Sequence, residues 1–205
     1  MSLLNYSFYH KIDDTAKEYL HKHLKAVNIP KGNILFFQGD ICDNILFLTK
    51  GTVRLYIQSD DADEITLYQL HEGEQCIVNT ASTISQTEAI GSAVTITDIE
   101  GYLLDVKSVK ELAHTSDVYQ SFLFEIYTLR MGTLAQLIND IKFKKLDTRI
   151  LEWLKAQNKN SIQTTHEFIA NELGSSRVVV SRILKELEKS GKIALTRGAI
   201  ELKYL

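Results

Sequence analysis

The chain has 205 residues, 44% of them hydrophobic and 24% charged, with a formal charge of −3, which suits a globular protein with one generous core or two modest ones. No apolar run approaches the roughly 18 residues of a membrane span, and residues 1–20 hold Asp13, Asp14 and Glu18 where a secretory signal would be apolar. The chain therefore reads as cytosolic, a compartment that disfavours a disulfide between its two cysteines, Cys42 and Cys76, which are also too few for an all-cysteine zinc or iron–sulfur site.

Residues 7–26 read as one or two helical turns with Leu20 and Leu24 inward, and His10, His21 and His23 on solvated surface. After Pro30 the pattern changes to short β-branched or aromatic runs: ILFF (34–37), ILFL (45–48), TVRLYI (52–57), EITLYQL (64–70) and AVTITDI (93–99), punctuated by Gly39, Gly51, Gly73, Gly91 and Gly101. Strands spaced in this way form an antiparallel roll or barrel. The acidic tip Ser59-Asp60-Asp61-Ala62-Asp63 is a solvated turn, since the glycine and glutamate that complete a calcium loop are missing.

From Asp117 to about Asp140 the period becomes helical. Leu123, Tyr127, Arg130, Leu134, Leu137 and Ile141 follow a coiled-coil spacing, with Phe122, Ile126 and Leu129 in a neighbouring stripe. One wide face buried within a single subunit is one reading, but a helix this long linking two domains has little of its own chain to cover both stripes, so one packs on the roll and the first is assigned to a second copy of the chain. Residues 146–157 form a further helix with Ile150, Leu151 and Leu154 inward. The expected domains are a roll over 1–116, a dimerisation helix over 117–141 and a basic domain over 142–205. Charge divides accordingly: residues 142–205 hold 13 Lys and Arg against 7 Asp and Glu, a balance of +6, while residues 1–141 carry −9. That asymmetry is the footprint of one domain that contacts phosphates and another that does something else.

Within the basic domain, Ser161 to Lys192 reads as two short helices around a tight turn. Thr164 or Thr165 caps the first, with Glu167 three residues after Thr164 as in a capping box, and Gly174 ends it. Ser176 caps the second, whose core stripe is Val180, Ile183, Leu184 and Leu187. Ile193, Leu195, Ile200 and Leu202 around Arg197-Gly198 form a two-stranded wing. In a helix-turn-helix the start of the second helix reads base edges in the major groove. The candidate DNA-binding residues are Thr165, Ser175, Ser176, Arg177, Val178, Ser181, Arg182 and Lys185. A winged helix that binds protein instead would keep the same pattern.

Roll, long helix and winged helix-turn-helix, together with FFQGD (36–40), LTKGTVRLY (48–56), the Gly73-Glu74 pair and IANELGSSRVVVSRILKELEKSGKI (169–193), resemble the catabolite activator and fumarate/nitrate regulator (CRP/FNR) family of bacterial transcription factors. The resemblance implies an α+β fold with an N-terminal cyclic-nucleotide-binding-like roll. It also implies a homodimer, an inverted-repeat duplex operator, RNA polymerase as a partner, and a small-molecule effector bound near Gly73, Glu74, Cys76, Gly91, Ser92, Tyr127 and Leu134. Several positions depart from the family pattern. The recognition-helix glutamate is replaced by Val178, which cannot accept from cytosine. The Arg-Ser pair that holds a cyclic phosphate falls on Gly91-Ser92, and the Thr-Ser pair of the long helix on Leu134-Ala135, so cyclic AMP is disfavoured. A haem-binding member resembles this chain in its cysteine near Cys76, but its histidine two residues on is Val78 here. Haem or thiol sensing through Cys76 is an alternative input. No residue set has catalytic or metal-ligand spacing, and a regulator rather than an enzyme is expected.

Overall fold

The computed structural model describes residues 3–59 and 63–203, and its elements form an α+β fold in two units, Met1–Ile57 with Leu67–Thr133 and Gln58–Thr66 with Leu134–Leu205. The alternating runs after Pro30 build β2 (Ile34–Phe36), β3 (Asn44–Lys50), β4 (Val53–Gln58), β5 (Glu64–Leu70) and β6 (Ser92–Thr95). Two further strands, β1 (Lys25–Ile29) and β7 (Ile99–Asp105), lie outside or at the end of those runs. The sheet orders are β2-β6-β4-β5 and β1-β7-β3, and β1 and β3 both pair antiparallel with β7. The run AVTITDI is thus divided between β6 and the start of β7. Of the acidic tip, Asp60, Asp61 and Ala62 lie outside the described residues, while Ser59 N donates to Asp63 O at 2.9 Å.

Strand alternation gives the β1-β7-β3 sheet two buried faces. Ile45, Phe47 and Leu104 join a core with Tyr6, Phe8, Leu20, Leu112, Tyr119 and Phe122. Leu48, with the half-buried Leu46, faces a second core with Val53, Leu55, Leu70 and Ala93 inside the roll. Gly51 occupies the β3–β4 turn at φ +90°, where an added Cβ would lie 2.4 Å from Asp98 O, so both conformation and space demand glycine. The helices of this unit are α1 (Asp14–His23), capped by Asp13, then α2 (Ile77–Ser85), α3 (Val106–Thr115) and the first part of α4 (Asp117–Phe143). In α2, Asn79 accepts from Leu46 N at 3.2 Å and donates to Asn44 O at 2.8 Å, which fixes the helix to β3.

The second unit holds α5 (Leu146–Ala156), β8 (Ser161–Gln163), α6 (His166–Leu173), α7 (Arg177–Lys189), β9 (Ile193–Thr196) and β10 (Ala199–Leu202). The wing has three strands rather than two, in the order β8-β10-β9. Its core is Ile150, Leu154, Ile169, Leu173, Val180, Ile183, Leu184, Leu187, Ile193 and Ile200. Buried Arg149 on α5 donates from Nη2 to Leu173 O at 2.6 Å, satisfying a carbonyl at the end of α6.

Candidate nucleic-acid interface and cavity

The helix pair is built by local chemistry. Thr165, not Thr164, caps α6, its Oγ1 accepting from Phe168 N at 3.0 Å, so the capping box with Glu167 does not form. Glu167 instead stands 3.9 Å from Arg177 Nε, an exposed and weak ion pair. Gly174 takes the left-handed conformation at φ +60°, Ser175 N donates back to Ala170 O, and Ser176 Oγ accepts from Val179 N at 3.3 Å to start α7. With the core stripe fixed inward, Arg177, Val178, Ser181, Arg182 and Lys185 line one open depression of about 400 Å³. Val178 is 79% exposed, although it is a β-branched apolar residue. Of the other candidates, the Thr165 and Ser176 hydroxyls are committed to caps, and Ser175 lies in the turn.

One feature of this face was not legible in the sequence. His166 Nδ1 lies 2.8 Å from Ser181 Oγ, joining the first residue of α6 to the exposed face of α7. Burial, then the charges of Arg177 and Lys185, push the imidazole pKa below its ordinary value.

Inside the roll is a cavity of about 390 Å³. Its walls include Leu35, Phe36, Leu46, Leu48, Val53 and Leu103, and Asp40, Asp43, Asn44, Glu74, Asn79 and both cysteines complete the lining. Of the expected pocket residues only Glu74 and Cys76 line it; the others do not. Ser92 Oγ accepts from Gln38 N at 2.9 Å, and Gly91 packs where an added Cβ would lie 2.7 Å from Tyr56 O. Gly73 takes a turn at φ +79°, and Tyr127 lines a separate cavity of about 140 Å³ beside Ile77 and Val78. Leu134 lines neither cavity.

Cys76 caps α2: its sulfur accepts from Asn79 N at 3.5 Å and lies 3.7 Å from Tyr68 Oη. Burial pushes the thiol pKa up, which leaves it protonated and poorly nucleophilic. Val78, buried two residues on, offers no ligand atom where the haem-binding member has its histidine.

The long helix departs from the expected interface. Leu123 is buried in the N-terminal core, and Tyr127, half-buried, packs against both cores. Arg130 is 7% exposed, with Nη2 2.9 Å from Glu74 Oε2 and its guanidinium 4.4 Å from the Tyr68 ring centre. The roll covers Arg130 because it supplies a carboxylate and an aromatic face for the guanidinium. Leu134 and Leu137 are half-buried and Ile141 is exposed. The large exposed apolar residues include Phe124, Met131 and Ile138, each seven residues after the last, and Leu129.

Comparison with known proteins bears on both regions. Residues 26–116 match the family described as cyclic nucleotide-binding domain, and residues 145–205 that described as Crp-like helix-turn-helix domain. The chain is 26% identical over 201 residues to the cyclic AMP receptor protein of Thermus thermophilus, covering 93% of this chain and 87% of that protein. It is 22% identical over 181 residues to the global nitrogen regulator of Synechocystis sp., covering 83% and 80%. A solved structure from Eubacterium rectale, described as a transcriptional regulator of the crp/fnr family, superposes with a TM-score of 0.87 at 27% identity, covering 97% of this chain and 94% of that one.

Proposed function

Because this chain belongs to the CRP/FNR family of transcription factors, we propose that it is a homodimeric, sequence-reading duplex-DNA regulator with a small-molecule input in its roll. The observation that carries the reading is the gathering of Arg177, Val178, Ser181, Arg182 and Lys185 on one exposed face of a helix whose other face is core. Arginine pairs bidentately with guanine, serine bonds to any base edge and valine meets only a thymine methyl. That set can discriminate bases. Thr165 and Ser176 flank it at the starts of α6 and α7, where the first-turn backbone N–H groups can meet neighbouring phosphates, and Ser175 lies in the turn between them. We assign the roll to residues 1–116, the dimer helix to 117–141 and the DNA-binding domain to 142–205.

On this reading the operator is an inverted repeat with half-sites about 34–36 Å apart. RNA polymerase is the partner through which transcription changes, and the protein works in the cytoplasm. Cyclic AMP is not its effector. The absence of lysine, arginine and histidine from the described lining of the roll cavity supports that exclusion, as does the pairing of Arg130 with Glu74. Thiol sensing is not favoured, since Cys76 is buried and protonated.

The test is a selection from random duplexes with the wild type, Arg182→Ala and Val178→Glu side by side. Arg182→Ala should cost about 1–3 kcal/mol and relax one base pair per half-site, and Val178→Glu should recruit a cytosine. Identical selected sequences for all three would overturn base reading by this helix and favour a protein-binding winged helix.

A further inference from the structure

The roll cavity has a definite chemical character. Its walls, among them Leu35, Phe36, Leu48, Val53 and Leu103, are hydrocarbon, and its charged residues are Asp40, Asp43 and Glu74. No cationic side chain lines it among the described residues. The cations one would look for are placed elsewhere by the fold. Val53 points into the cavity, so its neighbour Arg54 projects from the opposite face of β4, by strand alternation. Arg130 reaches the rim only through Glu74, whose Oε2 it shares with the amide of His71.

The polar atoms of the wall are also largely spent within the protein. Both ends of the Asn79 amide are bonded to β3 or the residue that starts it, Asp40 Oδ2 accepts from Phe37 N at 2.7 Å, and Cys76 Sγ caps α2. A ligand therefore meets carbon, sulfur and negative charge. Apolar surface drives its binding, and an anionic group would have to enter beside carboxylates without a counter-charge.

We propose that this cavity takes an apolar small molecule bearing no negative charge. The inference rests on the reading of the roll as the input domain and names the class of molecule that input takes. It also sets the cavity against phosphate-bearing effectors, which need a cation that this wall does not provide.

A matched pair of fluorescent probes tests it: N-phenyl-1-naphthylamine, which is neutral, and 8-anilino-1-naphthalenesulfonate, which carries the same rings and an anionic group. Titrated into the full-length protein, the neutral amine should bind at one equivalent per chain, on the order of tenfold or more tighter than the sulfonate, since a tenfold preference needs only about 1.4 kcal/mol. Val53→Trp, which fills the cavity, should abolish amine binding in a protein whose melting is still cooperative. Should that variant fail to fold, Asp43→Lys gives an independent reading, because Asp43 is exposed at the rim. A cation there should tighten the sulfonate several-fold and leave the amine nearly unchanged. Equal or tighter binding of the sulfonate by the wild type would overturn the proposal, as would amine binding indifferent to a folded Val53→Trp or sulfonate binding indifferent to Asp43→Lys. Duplex binding measured on the same samples separates the two readings. A protein that binds the amine but no duplex keeps the cavity and loses the regulator, and the reverse keeps the regulator and loses the cavity's assigned class.

Discussion

At the scale of single residues, the recognition face carries a titratable partner that local pattern does not reveal. When the His166 imidazole is neutral with its proton on Nε2, Nδ1 accepts from the Ser181 hydroxyl, and the serine offers only lone pairs to a base edge. A protonated imidazole donates instead and frees the serine O–H as a donor. In the unbound protein, burial, Arg177 and Lys185 all hold the imidazole below its ordinary pKa, so it charges only at a pH below that of a free histidine. Phosphates placed beside Arg177 and Lys185 cancel the two charge effects, so protonation becomes easier in the complex and binding takes up protons. Affinity should therefore rise as pH falls through and below about 6.5, the unperturbed value. His166→Gln should flatten that rise. Fluorescence anisotropy of an operator duplex between pH 5.5 and 8 decides it, and equal slopes for wild type and variant would exclude a role for this histidine. The basic and short-chained residues of α7 were legible in the sequence because caps and stripe are set within one helical turn. The His166–Ser181 and Glu74–Arg130 pairs were not, for each joins residues of different elements that only tertiary packing brings together.

Elements show the same division between local and long-range causes. The helix pair has its own stop and start signals in Gly174 and Ser176, and its boundaries follow from them. Helix α2 has none that a sequence displays: IVNTASTIS is β-branched and hydroxyl-rich, its cap is a cysteine, and the Asn79 amide pins it to β3. The short third wing strand is invisible for a related reason, since Ser161–Gln163 holds one buried residue and exists through its pairing with β10. In α4 the periodicity identified the helix but not which stripe the roll would cover. Leu123 and Arg130 turn inward because an aromatic cluster and Glu74 await them, and Phe124, Met131 and Ile138 are left outside. Three apolar residues at sevenfold spacing drift by only about 20° per heptad and so form one seam. Met131→Glu with Ile138→Glu should convert a dimer into a folded monomer, because a two-fold axis would set like charges opposite each other at a cost of several kcal/mol. Leu123→Glu should instead destabilise the roll. Sedimentation together with thermal melting separates the outcomes. A wild-type monomer at micromolar concentration, or an unaltered dimer in the double variant, would remove the seam from the interface.

For the whole molecule, charge is the property that ties sequence to function most directly. The +6 of residues 142–205 and the −9 of residues 1–141 nearly cancel in the total, yet they belong to parts with different work to do. A duplex is sensed over about 8 Å at physiological salt, so the local surface around α7, not the net charge, sets its attraction. Each cation that neutralises a phosphate releases a counter-ion, and the salt dependence of affinity counts such contacts, with a slope of about −0.9 per phosphate. Lys185 lies on the open face of α7, at the edge proposed to meet the phosphate backbone, whereas Lys50 lies on the roll and is paired with Glu100 at 2.7 Å. Lys185→Ala should therefore lower the slope of log affinity against log salt by about two for a dimer and weaken all duplex sequences alike. Lys50→Ala should leave the slope unchanged. Titrations of specific and scrambled duplexes from about 0.05 to 0.2 M salt provide the measurement. A slope that responds to Lys50 as strongly as to Lys185 would mean that the acidic unit shares the phosphate contact, and that the division of labour argued from charge is wrong.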